Sequence, residues 1–316
     1  QERICELLIG SDGSDDETPE VIARYPDARV RLVHFPERRG KPAVLNELVP
    51  QCRAELVVVP RAGQMLALDG IDRLARNFAD DAIGVVSGEL MLRSSDSDTA
   101  AAIGMGAYWT YEKLIRKCES RFRGVPGATG AFYALRRKLY RPIPDNTRLD
   151  DVVIPMQVIE QGARCLLEPG AIAWDIPSQS TRQETIRKRR TIAGAAQLMV
   201  NQPRWLLPWR NPIWWEFVSH KLARLVSPIL LLAALMANVV LVLQPGAITE
   251  DAALMLLAAQ VLFYGAAVLA WGLAQHGLKV PLLGTVLMFV ALNVTTLLAL
   301  WDAARGRFRA AWQKAA

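Results

Sequence analysis

Two adjacent carboxylates, Asp150 and Asp151, stand directly before the apolar segment Val152 to Ile159. Such a pair does not ionise as two independent acids, because each charge raises the other's pKa. A second candidate closes the run Ile4–Ile9, where Asp12-Gly13-Ser14 forms a turn ahead of a helix start at Thr18-Pro19. Asp12 either accepts hydrogen bonds from a nucleobase or ribose or caps its own turn. Gly127-Ala128-Thr129-Gly130-Ala131 is a third candidate, because small residues let backbone approach a ligand or turn tightly.

The elements that position these residues follow from periodicity. Short β-rich runs at Ile4–Ile9, Arg29–Phe35, Glu55–Val59 and Ile83–Leu92 alternate with helical patterns at Pro19–Tyr25, Lys41–Cys52 and Asp69–Phe78. That alternation predicts an α/β fold with a mainly parallel sheet flanked by helices. In such sheets ligands bind beyond the carboxyl ends of the strands, which directs attention to the loops after Ile9, Phe35, Val59 and Leu149. A long helix is expected from Thr99 to Phe122, packing its aromatic side on the core and turning Glu112, Lys113, Arg116 and Lys117 to solvent.

Beyond residue 200 the composition changes. Leu225–Leu243, Ala252–His276 and Val280–Trp301 are apolar and nearly uncharged, each long enough for a bilayer core that takes roughly 20 residues to cross. Trp205, Trp209, Trp214, Trp215 and Phe217 lie before them among three prolines, as expected of interfacial segments at headgroup depth; a packed aromatic cluster is the other reading. The domains are therefore drawn as 1–200, a connector at 201–222, three transmembrane helices at 223–301 and a basic tail at 302–316.

The net charge of +6 gathers in clusters such as Arg136-Arg137-Lys138 and Arg187-Lys188-Arg189-Arg190. These suit anionic headgroups or phosphate-bearing substrates, and no groove-reading motif accompanies them, so nucleic acid is not an expected partner. Cys5, Cys52, Cys118 and Cys165 form no metal-binding or disulfide spacing, which fits a reducing compartment. The spans carry essentially no ionisable residues, which argues against a transporter.

Taken in order, GSDGSDDETPE (10–20), RRGKPAVLNE (38–47), IGVVSGEL (83–90), YEKLIRKCESR (111–121), GATGAFYALRR (127–137), LDDVVIPMQVIEQGARCLLEP (149–169) and FVSHKLARLVSP (217–228) resemble the membrane-bound family 2 glycosyltransferases of GT-A fold. The resemblance implies an inverting enzyme that moves a sugar from a cytosolic nucleotide-sugar to a glycan or lipid acceptor. It matches Asp12 to the nucleobase contact, Lys41 and Asn46 to the nucleotide side of the pocket, and Asp151, with Asp150, to the general base. It implies a multi-pass membrane protein with a cytoplasmic catalytic domain, as in a bacterial inner membrane. The family's first strand has no counterpart here, so the chain is expected to lack it.

Two blocks depart from the pattern. Where the family holds a divalent cation, Mg²⁺ or Mn²⁺, on the diphosphate with Asp-Ala-Asp or Asp-Ala-Asn, this chain has Arg61-Ala62-Gly63. Arg61 either pairs with the diphosphate itself or disables the site, in which case the chain is a non-catalytic binding or assembly subunit. Where processive relatives carry Gln-x-x-Arg-Trp, the chain has Arg187-Lys188-Arg189-Arg190-Thr191. Arg187 and Arg190 are assigned to the acceptor or diphosphate together with Gly127, Thr129 and Gly130, or else to headgroups. On the positive-inside rule Lys221 and Arg224 belong to the cytosolic side, and three crossings then carry the basic tail to the opposite side, against that rule.

Overall fold

The computed structural model describes residues 4–92, 100–175, 181–244, 250–278 and 280–305, with backbone alone at 92, 100–108, 181–187, 250 and 281. Most of the basic tail and the loop between the first two apolar helices lie outside the described residues. The chain runs β1 (Leu7–Asp12), α1 (Thr18–Ala23), β2 (Val30–Phe35), α2 (Lys41–Gln51), β3 (Leu56–Pro60), β4 (Met65–Leu66), α3 (Gly70–Arg76), β5 (Ile83–Leu92), α4 (Ala100–Phe122) and β6 (Phe132–Arg136). It continues through α5 (Asp150–Ile159), β7 (Arg164–Asp175), α6 (Thr181–Asn201), α7 (Trp214–Phe217), α8 (Ala223–Leu243), α9 (Glu250–Gln275) and α10 (Pro281–Ala304).

Strands β1 and β2 pair in parallel, with α1 as the crossover. The larger sheet has the order β3-β6-β5-β7-β4. Within it β5–β7 is parallel, whereas β3–β6, β5–β6 and β4–β7 are antiparallel. The sheet is thus mixed, which corrects the mainly parallel expectation: β6 inserts between two strands that both run against it. Its residues alternate between faces, Tyr133 and Leu135 toward α5, Phe132 and Ala134 toward α3, and all four are buried.

Three sequence expectations are corrected by burial. Arg136 is 5% exposed, donating to Ile83 O and Phe78 O and pairing with Glu55 at 2.6 Å, so it staples β6 to its neighbours and leaves the basic cluster. Trp205 is fully buried and meets Phe217 edge-on at 5.9 Å, so these two belong to the core while Trp209 and Trp215 stay exposed. In α4 the polarity is inverted. Tyr111, Leu114 and Phe122 face outward, whereas Glu112 and Arg116 are half-buried and Glu119 is buried.

The outward apolar side of α4 makes sense beside the C-terminal helices. Three of these are long and apolar enough to cross a membrane, within Trp214–Leu243, Asp251–Gln275 and Leu282–Ala304. They join by polar and aromatic pairs: Asn238 to Gln260 at 2.9 Å, Ser227 to Asn293 at 2.9 Å, and Phe263 on Phe289 at 5.8 Å. Helix α10 also packs against α4 and α6, and its end is tied to α6 by Arg189–Asp302 at 3.4 Å.

Candidate active site

The site is built where β1 and β3 end and where α2 and α5 begin. Asp12, at the end of β1, accepts the backbone N–H of Arg39 at 2.7 Å and of Gly40 at 2.8 Å. Gly40 has φ 91°, a conformation an L-residue adopts at a cost, and that turn points its N–H at Asp12 while the next residue starts α2. That residue is Lys41, whose ammonium lies 2.6 Å from the Asp150 carboxylate in the first turn of α5. One chain of contacts therefore links Asp12 to Asp150.

Asp150 is 8% exposed, and Lys41 compensates its charge. Asp151, next along the helix, has no such partner among the described residues. Burial first, then the charge of Asp150, push its carboxyl from its ordinary 3.8 up to about 6, although the charges of Lys41, Lys221 and Arg116 act the other way. The backbone of Asp151 accepts the N–H of Ala128 at 2.7 Å. A Cβ placed on Gly130 would fall 2.7 Å from Asp151 Oδ2, so the segment from Gly127 to Ala131 wraps the carboxylate too closely for any side chain there. Above the pair, Tyr133 is fully buried; desolvation, then Asp150 and Asp151, push its phenol well above its ordinary value.

A carboxyl poised near neutrality beside a lysine-compensated carboxylate is an arrangement for taking a proton from a hydroxyl. The family model described as "Glycosyltransferase like family 2" matches residues 3–194. The chain belongs to that family. A search of curated proteins returned no match. Among solved structures it is similar to the mannosyltransferase PcManGT from Pyrobaculum calidifontis, in complex with GDP-Man and Mn²⁺, at 20% identity and TM-score 0.65, covering 96% of this chain and 79% of that one. A second, GalNAc-T7 with UDP, GalNAc and Mn²⁺, matches at 13% identity and TM-score 0.41 over 60% of this chain and 42% of that one. The first likeness establishes a GT-A glycosyltransferase fold.

Within this glycosyltransferase domain, Arg61 is exposed at the end of β3, and its backbone N–H donates to Ala131 O at 2.8 Å, placing it at the rim of the segment that wraps Asp151. Arg190 is exposed on α6, one turn before Gly194, where a Cβ would meet Leu149 and Arg148 just ahead of Asp150. The Arg187 side chain lies outside the described residues. Asn46 turns away from Asp12: its amide donates to Ile143 O at 2.7 Å and accepts from Tyr140 Oη at 2.8 Å and Ile143 N–H at 2.9 Å. It holds the segment that carries the chain from β6 to Asp150.

The donor set does not fit a divalent cation. Among the described residues no group of three His, Cys, Asp or Glu is placed to hold one. The carboxylate of Asp12 is taken by two N–H groups and that of Asp150 by an ammonium. Arg61 and Gly63 offer no oxygen ligand from their side chains.

A residue that sequence reasoning read as solvated belongs to the site as well. Arg116 of α4 donates from Nη1 to Thr129 Oγ1 at 2.7 Å and from Nη2 to Ser87 Oγ at 2.8 Å and Gly127 O at 3.2 Å. Ser87, in the middle of β5, also accepts the N–H of Thr129 at 2.8 Å.

Proposed function

We propose that the chain is a membrane-anchored inverting glycosyltransferase that moves a sugar from a nucleotide-sugar to a glycan or lipid acceptor, with Asp151 as general base. The observation that carries this reading is the carboxylate pair that opens α5, with Asp150 buried and 2.6 Å from Lys41 and Asp151 packed against Gly130. Asp151 takes the proton of the acceptor hydroxyl as its oxygen attacks the anomeric carbon. The bond from that carbon to the diphosphate breaks on the opposite face, and the nucleoside diphosphate leaves with the electron pair. Asp12 and the turn it closes with Gly40 form the nucleoside edge. Arg61 supplies positive charge to the leaving diphosphate, bidentately as a guanidinium permits.

Purified membranes carrying the full chain, supplied with a panel of nucleotide-sugars, are expected to transfer or hydrolyse at least one donor, and Asp151→Asn to lose that turnover. No turnover and no nucleotide binding with any donor overturns the enzymatic reading in favour of a binding or assembly subunit, which the replacement of carboxylates at Arg61 and Gly63 favours. Gly130→Ala is expected to lower transfer by about 100-fold with nucleotide affinity kept, because displacing a catalytic group by about 1 Å costs on that order. Isothermal titration with nucleoside diphosphate separates the two quantities.

The glycosyltransferase domain is placed on the cytosolic side, where nucleotide-sugars are made, with Lys221 and Arg224 at the root of α8. Arg189–Asp302 favours an end of α10 beside this domain, so that α8, α9 and α10 do not all cross. A C-terminal reporter is expected to give the same sidedness as one fused to the N-terminal domain; opposite signals overturn this topology.

A further inference from the structure

The charged inward face of α4 reaches the catalytic carboxylate through the glycine segment. Arg116 makes three hydrogen bonds, and all end on that segment or on Ser87 beneath it. Thr129 is held from both sides, since its Oγ1 also donates to Gly88 O at 2.7 Å and its N–H donates to Ser87. On the other flank, Ala128 donates to the backbone of Asp151, and Gly130 lies against its carboxylate with no room for a Cβ. The segment is therefore clamped between a guanidinium and an aspartate. Moving one end moves the other.

We infer that Arg116 is a positioning residue for sugar transfer, fixing the Gly127–Gly130 segment so that it holds the Asp151 carboxylate in its place. The inference rests on Asp151 being the base. The planar fork of arginine satisfies Thr129, Ser87 and Gly127 at once, which the single ammonium of a lysine cannot do with the same geometry. The guanidinium also adds positive charge to the field at Asp151. That field comes from Asp150 on the same helix, Lys41 from α2, Lys221 from the turn before α8 and Arg116 from α4, with the neutral phenol of Tyr133 from β6 alongside. Removing Arg116 takes away one of the three cations that favour the ionised base.

The test uses the full chain in membranes with the donor found active. For Arg116→Gln, kcat is expected to fall about tenfold or more, with donor KM changed by less than about threefold. The acid limb of the kcat–pH profile is expected to move to higher pH as a cation is lost. Arg116→Lys keeps the charge, so its acid limb is expected near the wild-type position while kcat stays low. If Arg116→Gln does not fold, Arg116→Lys alone tests the inference through that same separation. Wild-type kcat in either variant, or a loss confined to folded yield with kcat per folded protein unchanged, overturns the proposal. An unmoved acid limb in Arg116→Gln overturns it too. Transfer retained by Asp151→Asn instead removes the reading beneath it, so the two failures are distinguishable.

Discussion

Asp151→Asn is expected to reduce sugar transfer by about 100- to 10,000-fold, the usual contribution of a general base, and at the same time to stabilise the fold at neutral pH. The carboxyl of Asp151 rises to about 6, first through burial and then through Asp150. The native state thus holds its proton more tightly than the unfolded chain does. The stability this brings is fully present below about pH 4 and is lost as pH rises through about 6, where native Asp151 must ionise against its surroundings. An amide keeps the shape and avoids that ionisation. After allowance for solvent screening at a partly buried carboxylate, the gain at pH 7 is on the order of 1–2 kcal/mol, a few degrees in Tm. Thermal unfolding of wild type and Asp151→Asn from pH 4 to pH 8 checks this: the two midpoints converge at the acid end and separate above pH 6. The wild-type acid limb of kcat is expected with a midpoint near 6. Parallel unfolding curves across the whole range would remove the elevated carboxyl and leave Asp151 as base resting on its geometry alone.

That trade between stability and chemistry is a property of position, and position is what the linear chain disclosed unevenly. Asp12 and Gly130 stood out in the sequence by their turn and their small-residue segment, whereas Lys41 and the pair Asp150 and Asp151 were picked out by the family resemblance, since carboxylates at a helix start are common on their own. The helices were legible by period, and α4 and α8 to α10 are found within a few residues of expectation. Strand direction was not. The alternation of β-rich and helical segments says that crossovers exist, and it predicts parallel pairing correctly for β1–β2. It is silent on β6, which enters the sheet from a glycine-rich loop between two strands already in place.

Asn46 and Arg116 show the other limit. Asn46 lies five residues after Lys41 in the same helix, a spacing that turns it to another face, where it serves the backbone around Ile143. Arg116 read as solvated because charge on a helix usually faces water. The signal that could have found it was the spacing Glu112, Arg116, Glu119, which puts three charges on one face, while Tyr111, Leu114 and Phe122 fall elsewhere. A helix with apolar residues outside and charges inside is expected beside a membrane, and the three apolar helices after residue 223 supply that context.

The same face of α4 carries the second large effect, a latch to the root of the first apolar helix. His220 lies in a π-helical turn, Val218–Leu222, directly before α8. Its Nδ1 is 2.8 Å from Glu119 Oε1 and its Nε2 is 2.8 Å from Glu112 Oε1, with the ring 3% exposed. Ionised carboxylates only accept hydrogen bonds, so both contacts are satisfied together when the ring carries both protons. Glu112 is ionised: burial alone would raise its carboxyl, but the His220 bond and the charges of Arg224, His220 and Lys221 hold it well below the ordinary range. His220→Ala leaves Glu119 buried without this hydrogen-bond partner and Glu112 with the charges of Arg224 and Lys221. Leaving a buried polar group without its hydrogen-bond partner costs about 1–3 kcal/mol, and two carboxyl groups lose one here, so the Tm is expected to fall by about 4 °C or more. Arg224→Ala should cost less than about 1 kcal/mol, since its side chain is 41% exposed. The double variant Glu119→Gln/His220→Ala is expected to recover part of the loss, because it replaces the stranded carboxylate with an amide. Recovery distinguishes an uncompensated charge from a packing defect. Strictly additive losses would mean that His220 acts through its volume alone. A His220→Ala midpoint within 1 °C of wild type would mean that α4 and α8 are held together by their apolar contacts, and that Glu112, His220 and Glu119 contribute nothing to the joint.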